Sequence, residues 1–195
     1  RHWGAYGEAP DDTNPGPYDP NAPAAKQFRT VSCVTIAKDA QDLIATAPVI
    51  ITSLPHPSAL QQTVATIAAA KVKPRVLVEA STFKLDDKLK AERTLRQAGH
   101  TMLDCPISGT GAQAKVKDIV VYASGDTRAI RKLKPMFAGF SRGVHDLGAF
   151  GNGSRMKYVA NLLVAINNVA SAEAIVLGMK AGLDPKSIFE TIKSG

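Results

Sequence analysis

The residues best able to do chemistry lie in "FGNGSRMKYVANLLVAINN", Phe150–Asn168. Gly151 and Gly153 open the stretch, Arg155 and Lys157 follow, and Asn161, Asn167 and Asn168 interrupt the apolar run behind them. At about 100° per residue, Lys157, Asn161 and Asn168 fall on one side of a helix. Met156, Val159, Leu163, Ile166 and Val169 cover much of the rest. A lysine so placed can stabilise a developing oxyanion or pass a proton. The same line also fits a snorkelling lysine with asparagines bonding across a helix interface. Periodicity alone does not choose between the two.

Three further stretches end strands with groups that suit a ligand. In "LDCPISGTGAQA", Leu103–Ala114, a loop of small residues can turn backbone N–H groups toward a carboxylate or phosphate, with Ser108 adding a hydroxyl. The plain alternative is a strand-to-helix turn that needs glycine for positive φ. "ITSLPHP" and "VEASTF" follow buried-strand patterns and place Leu54, Pro55, Ser81 and Thr82 at strand carboxyl ends. In open α/β sheets ligands bind at those ends.

The elements that must position these groups alternate. "PVIITS", "PRVLVEA" and "HTMLDCP" are β-branched or apolar runs that read as strands buried on both faces. "SALQQTVATIAAAKV" and "LDDKLKAERTLRQAG" read as the helices between them, the second ending at Gly99. "VSCVTI" and "DIVVYASG" are further strands, "RGVHDLG" is a short edge strand, and Asp126 caps the helix "DTRAIRKLKPMFAGF". Short β-α-β-α-β connections imply a mainly parallel, doubly wound α/β sheet. From Asn152 to about Ala181 one long helix is expected, then another capped by Asp184 and Pro185. This divides the chain into an irregular arm over 1–29, rich in proline, glycine and aspartate, a Rossmann-like sheet domain over 30–148, and the start of an all-α domain over 149–195.

Composition narrows the classes. The 195 residues carry a net charge of +7, with 45% hydrophobic and 21% charged residues, which is ordinary for a globular protein. The basic residues are scattered, and in "FKLDDKLKAERTLRQ" they alternate with acids as on a solvated helix face. No basic run is interleaved with aromatics, so nucleic acid is not an expected partner. Cys33 and Cys105 form neither a disulfide framework nor a metal-ligand spacing. No signal-peptide pattern opens the sequence, and no uninterrupted apolar run is long enough to span a bilayer, so no membrane partner is expected. The setting these features imply is the cytoplasm, or the mitochondrial matrix.

Taken in order, "SLP", "EAST", "DCPISGTGAQA…DIVVYASGD" and "GNGSRMKYVAN" resemble the β-hydroxyacid dehydrogenase family. That family includes 3-hydroxyisobutyrate, tartronate-semialdehyde and L-threonate dehydrogenases and is related to 6-phosphogluconate dehydrogenase. The resemblance runs from about Thr30 to Gly195. It implies a Rossmann domain joined to an all-helical domain by a long interdomain helix, NAD or NADP as cofactor, a small hydroxy-acid substrate and a homo-oligomer. It assigns catalysis to Lys157 and Asn161 through a Gly-x-Gly-x-x-x-Lys-x-x-x-Asn pattern that matches Gly151, Gly153, Lys157 and Asn161 without gaps. Substrate binding falls on Ser108, Gly109 and Thr110 in a motif that also holds Asp104 and Pro106, with Thr110 standing where the family has a second glycine. Leu54, Pro55 and Thr82 take the cofactor-contacting positions, and Ala59 replaces the asparagine usual four positions after the proline.

No Gly-x-Gly-x-x-Gly turn of the dinucleotide-binding type precedes Thr30. The sheet is therefore read as an incomplete Rossmann domain. Three readings stay open: part of an active dehydrogenase with impaired activity as it stands, a non-catalytic homologue that binds a ligand or protein, and an unrelated basic α/β binding module. Without the phosphate cradle, NAD(P) affinity is expected to be weak. Titration of the chain with NAD(P)H should give a dissociation constant well above the micromolar range, and micromolar binding would overturn the expectation.

Overall fold

A computed structural model describes residues 2–3 and 35–194. The remaining residues, which include Cys33 and most of the stretch read as an arm, lie outside the description. Within it, β1 (His2–Trp3) pairs in parallel with β2 (Thr35–Ile36). The unit to which these residues belong runs to Lys157, and a second begins at Tyr158.

The centre of the first unit is a parallel block of β3 (Val49–Thr52), β4 (Val76–Glu79) and β5 (Thr101–Asp104), in the order β3-β4-β5. The register is flush. Val49, Val76 and Thr101 share the first row, and Thr52, Glu79 and Asp104 share the last. Side chains alternate between the faces. Ile50, Leu77 and Met102 pack with Leu60, Val64, Ile67, Ala91 and Leu95 in one core cluster. These partners come from α2 (Pro57–Ala69) and α3 (Leu85–Gln97), while α1 (Ala40–Thr46) adds Ile44. Val78 and Leu103 face the other cluster, completed by Ile130, Leu133 and Phe137 of α5 (Thr127–Ala138). Each such side chain, nearly or wholly excluded from water, contributes about 1.5–3 kcal/mol. By the same alternation, the row Thr52–Glu79–Asp104 lies on the α2/α3 side, so three polar residues close an apolar face.

After β5 the direction changes. β6 (Ile107–Ser108) runs antiparallel to β7 (Val120–Ala123), and β7 runs parallel to β8 (Gly143–Asp146). An antiparallel bridge from Asp104 to Ser124 joins this group to β5. The parallel block and the edge position of β8 follow the sequence reading. The antiparallel pairing does not: Ile107 and Ser108, read as loop, form a two-residue strand. Between β6 and β7 lies α4 (Gly111–Lys115), opened by a reciprocal capping box between Thr110 and Gln113. The expected caps at Asp126 and Asp184 form, each accepting a backbone N–H three residues on, and Gly99 takes a φ of 81° just past α3.

α6 spans Asn152–Lys180 and α7 spans Pro185–Lys193. The sequence reading put its domain boundary at 148/149, whereas the compact units divide between Lys157 and Tyr158. The first turn of α6 belongs with the sheet because its amides bond to sheet residues, as described below. In the second unit Gly178 admits the side chain of Ile188 against the helix backbone, so the end of α6 packs on α7. Along the rest of this unit Leu162, Leu163, Val164, Ile166, Val169 and Leu177 are exposed. α6 has the length and composition of a bilayer-spanning helix, with a mean hydropathy of 1.7 in its most apolar window and none of that window buried, although its apolar run is interrupted. Asn167, Asn168, Ser171 and Glu173 interrupt the run, too few to bring the average down. Core helices awaiting protein cover meet the same criterion, and so large an exposed apolar surface drives association. Sedimentation velocity at micromolar concentration should show self-association of this chain that weakens when Leu163 and Ile166 are replaced by glutamine.

Candidate functional site

Four loops that carry the chemically interesting residues are tied together by one buried polar network, and all its members lie in the first unit. It begins at the end of β3, where the Leu54 amide donates to Ser81 Oγ at 2.6 Å. The Ser81 amide donates to Glu79 Oε1 at 2.9 Å. The other Glu79 oxygen, Oε2, lies 2.7 Å from Lys88 Nζ, and the same ammonium lies 2.8 Å from Asp104 Oδ1. Asp104 then receives the start of α6: the Ser154 hydroxyl donates to Oδ1 at 2.8 Å and the Ser154 amide to Oδ2 at 2.7 Å. Ser124 Oγ donates to the Asp104 carbonyl oxygen and accepts the Gly153 amide at 2.9 Å.

Lys88, Glu79 and Asp104 are each 0% exposed. The flush register puts the two acids side by side on neighbouring strands, about 5 Å apart, where like charges repel. Lys88 reaches both from α3. Burial by itself pulls the lysine pKa down, but the charges of Glu79 and Asp104, with their hydrogen bonds, outweigh it and hold the ammonium above its ordinary range. Cys105 beside them is also buried, and burial, reinforced by the Asp104 charge, pushes its thiol up. It is therefore held as a neutral thiol, unsuited to nucleophilic work.

The sequence reading missed Lys88 and took its helix for a solvated face. The signal was present in the spacing: Lys88, Ala91 and Leu95 form one buried stripe, and both "VLVE" and "TMLD" end an apolar strand on an acid.

The residues singled out from sequence fall into two groups. Lys157 is half-buried in the turn that follows Ser154, and Asn161 is exposed on the same helix in the second unit. That turn sits against the loop after β5. A Cβ on Gly153 would lie on the Tyr122 carbonyl oxygen, 2.7 Å from the Asp104 carbonyl oxygen and 3.1 Å from Pro106 Cδ. Only glycine allows that approach. Ser108 is half-buried at the end of β6, and Gly109, with a φ of 139°, leaves no room for a side chain beside Ile119. Thr110 is exposed, and its amide donates to Gln113 Oε1 while its hydroxyl accepts the Gln113 amide. That amide is thus occupied within the capping box. On the other side Leu54 is buried, Pro55 and Thr82 are exposed, and Ala59 lies in the core under α2.

The strand ends fit one side of a dinucleotide. Thr52 Oγ1, at the carboxyl end of β3, is buried with no hydrogen-bond partner among the described residues. Thr82, in the loop after β4, has an exposed side chain. A nicotinamide–ribose portion matches such a set, whereas the sequence supplies no glycine cradle for the pyrophosphate. No cluster able to hold a metal ion occurs among the described residues.

Residues 17–149 match the family model described as the NAD binding domain of 6-phosphogluconate dehydrogenase, and residues 151–195 match that of NAD-binding of NADP-dependent 3-hydroxyisobutyrate dehydrogenase. The chain belongs to the β-hydroxyacid dehydrogenase family. Within that family it is 28% identical over 175 residues to a probable 3-hydroxyisobutyrate dehydrogenase of Mycobacterium tuberculosis, covering 90% of this chain and 59% of that one. It is 35% identical over 127 residues to an L-threonate dehydrogenase of Cupriavidus necator, covering 64% of this chain and 43% of the relative. The structure of M. tuberculosis 3-hydroxyisobutyrate dehydrogenase with L-serine superposes with a TM-score of 0.79 at 27% identity, covering 90% of this chain and 60% of that chain. The chain thus spans about three-fifths of the length of the first of these relatives.

Two outcomes follow for this member of the β-hydroxyacid dehydrogenases. Lys88→Ala leaves two buried carboxylates without their cation and should cost about 3–5 kcal/mol in urea unfolding. A lysine pKa raised in the folded state contributes stability below the unfolded value, about 10.4, and loses it as pH climbs through the folded value. The difference between wild type and variant should therefore hold through neutral pH and narrow in strong alkali. Gly153→Ala should lower stability by at least about 1–3 kcal/mol, because the obstruction is backbone and cannot move aside.

Proposed function

We propose that this protein is an NAD(P)-dependent oxidoreductase that transfers hydride between nicotinamide and the hydroxyl-bearing carbon of a small β-hydroxy acid. The observation that carries the reading is the docking of the Gly151–Lys157 turn onto the Asp104–Pro106 strand end. Lys157 follows that turn in sequence, and Ser108 and Gly109 follow that strand end. When bound, NAD(P) supplies the hydride acceptor. Lys157 stabilises the alkoxide that develops as the hydroxyl loses its proton, and Asn161, one helical turn on, keeps the ammonium and a substrate oxygen in register. Ser108 and the Gly109 amide grip the substrate carboxylate. Thr110 joins them only if Gln113 releases its amide, so Thr110 is a specificity position in this reading. Leu54, Pro55 and Thr82 line the cofactor side. The reading places the protein in the cytoplasm as a homo-oligomer, and the exposed apolar length of α6 supports the oligomer.

A non-catalytic homologue, using the same loops to bind a ligand, is the alternative. One assay separates them. NAD(P)-linked oxidation of a panel of small β-hydroxy acids, at millimolar cofactor, should show turnover that Lys157→Ala lowers by at least about a hundredfold, with cofactor binding within about twofold of wild type. Ligand binding with no turnover by wild type would support the alternative.

A further inference from the structure

A lysine, two carboxylates and two serines form a continuous chain of hydrogen bonds and ion pairs from the Leu54 and Ser81 loops to the first turn of α6. We propose that Lys88 is a positioning residue for the reaction: its buried ammonium holds Glu79 and Asp104 as full acceptors, and through Asp104 and Ser154 it sets the first turn of α6. The relevance to turnover rests on the function proposed above, whereas the positioning itself does not.

Replacing a buried ion set by well-packed hydrophobic groups is often neutral or stabilising, so the triad is not explained by stability alone. Its charge balance is incomplete, with two carboxylates facing one ammonium. The missing positive charge comes from the start of α6, where unpaired amides and the helix dipole amount to roughly half a charge. Asp104 takes two donors from Ser154, one on each oxygen, and Glu79 takes the Ser81 amide, whose hydroxyl in turn accepts from Leu54. Without the ammonium the two acids repel across one strand spacing, and neither can keep its second set of bonds. The helix start then keeps only the Gly153 amide on Ser124 Oγ and the Asn152 side-chain amide on the Leu147 carbonyl oxygen, neither of which fixes Ser154. Lys157 lies one turn further on, so loosening at Ser154 moves the amine that must meet the substrate oxygen.

The test uses hydrogen exchange and kinetics on the full chain. Lys88→Met keeps the length and volume of the side chain but removes its charge. The amides of Gly153 and Ser154 should then exchange at least about tenfold faster relative to those of Ile130 and Phe137, the size expected for losing a charge-assisted bond. Adding Glu79→Gln removes the repulsion and should restore at least about a third of the lost protection. A purely space-filling lysine predicts no such rescue. Ser154→Ala, which leaves the triad intact and keeps the protein folded if Lys88→Met does not, should accelerate exchange at Ser154 while sparing Leu54 and Ser81. Where turnover is measurable, both single variants should lower kcat with substrate KM within about twofold. Uniform or absent acceleration, or no rescue by Glu79→Gln, overturns the proposal. Absence of turnover by wild type counts against the proposed function only, since the exchange results still decide the positioning.

Discussion

Two carboxylates on adjacent parallel strands, in register and out of water, cannot both stay charged without a cation between them. Lys88 is that cation, and much of the first unit is arranged around the need. α3 has to present a lysine where its buried stripe would ordinarily hold leucine. β4 and β5 have to end on the same row. The start of α6 has to come down onto the sheet, because Asp104 has acceptor capacity left that only buried donors can fill. The four loops that a ligand would meet are consequently ordered by a single set of bonds running under them, and the apolar clusters on the two sheet faces supply the rigidity that keeps those bonds short.

This arrangement separates the sealed residues that tie the loops from the candidate site residues on them. Lys157, Ser108 and Thr82 have water-accessible area, while Lys88, Glu79 and Asp104 have none. A charged group that touches no water is poorly placed for proton traffic with solvent or substrate, yet well placed to fix the bonds of its neighbours. The cysteine in the same layer fits this division, since a thiol kept protonated by its surroundings packs as a small apolar group.

Much of the scaffold was legible in the sequence because the governing terms are local. "PVIITS", "PRVLVEA" and "HTMLDCP" are short, β-branched and bounded by breakers, and aspartates precede two of the helices at the positions where caps form. The long helix from Asn152 could be read from its length and from the glycines ahead of it. Two things were not legible. The β6–β7 pairing rests on two residues and on where Pro106 and Gly109 turn the chain, which no periodicity records. The burial of Lys88 depends on two acids some 9 and 16 residues away in sequence, brought together only by the flush register. Locally, alternating charges on α3 look the same whether one of them is solvated or sealed. Of the candidate site, the motif residues were identifiable one by one, whereas the network joining them was not.

The approach of Gly153 to the carbonyl oxygens of Tyr122 and Asp104 has a further meaning for how such a protein can change over generations. The seat of the long helix is cut from main chain on both sides, and main-chain atoms are the same whatever side chains drift brings to positions 104 and 122. Sequence divergence can therefore rewrite the loop at Thr110, or the row at Thr52, while the helix that follows keeps its footing. A lineage could vary the rim at this end of the sheet without having to rebuild its floor.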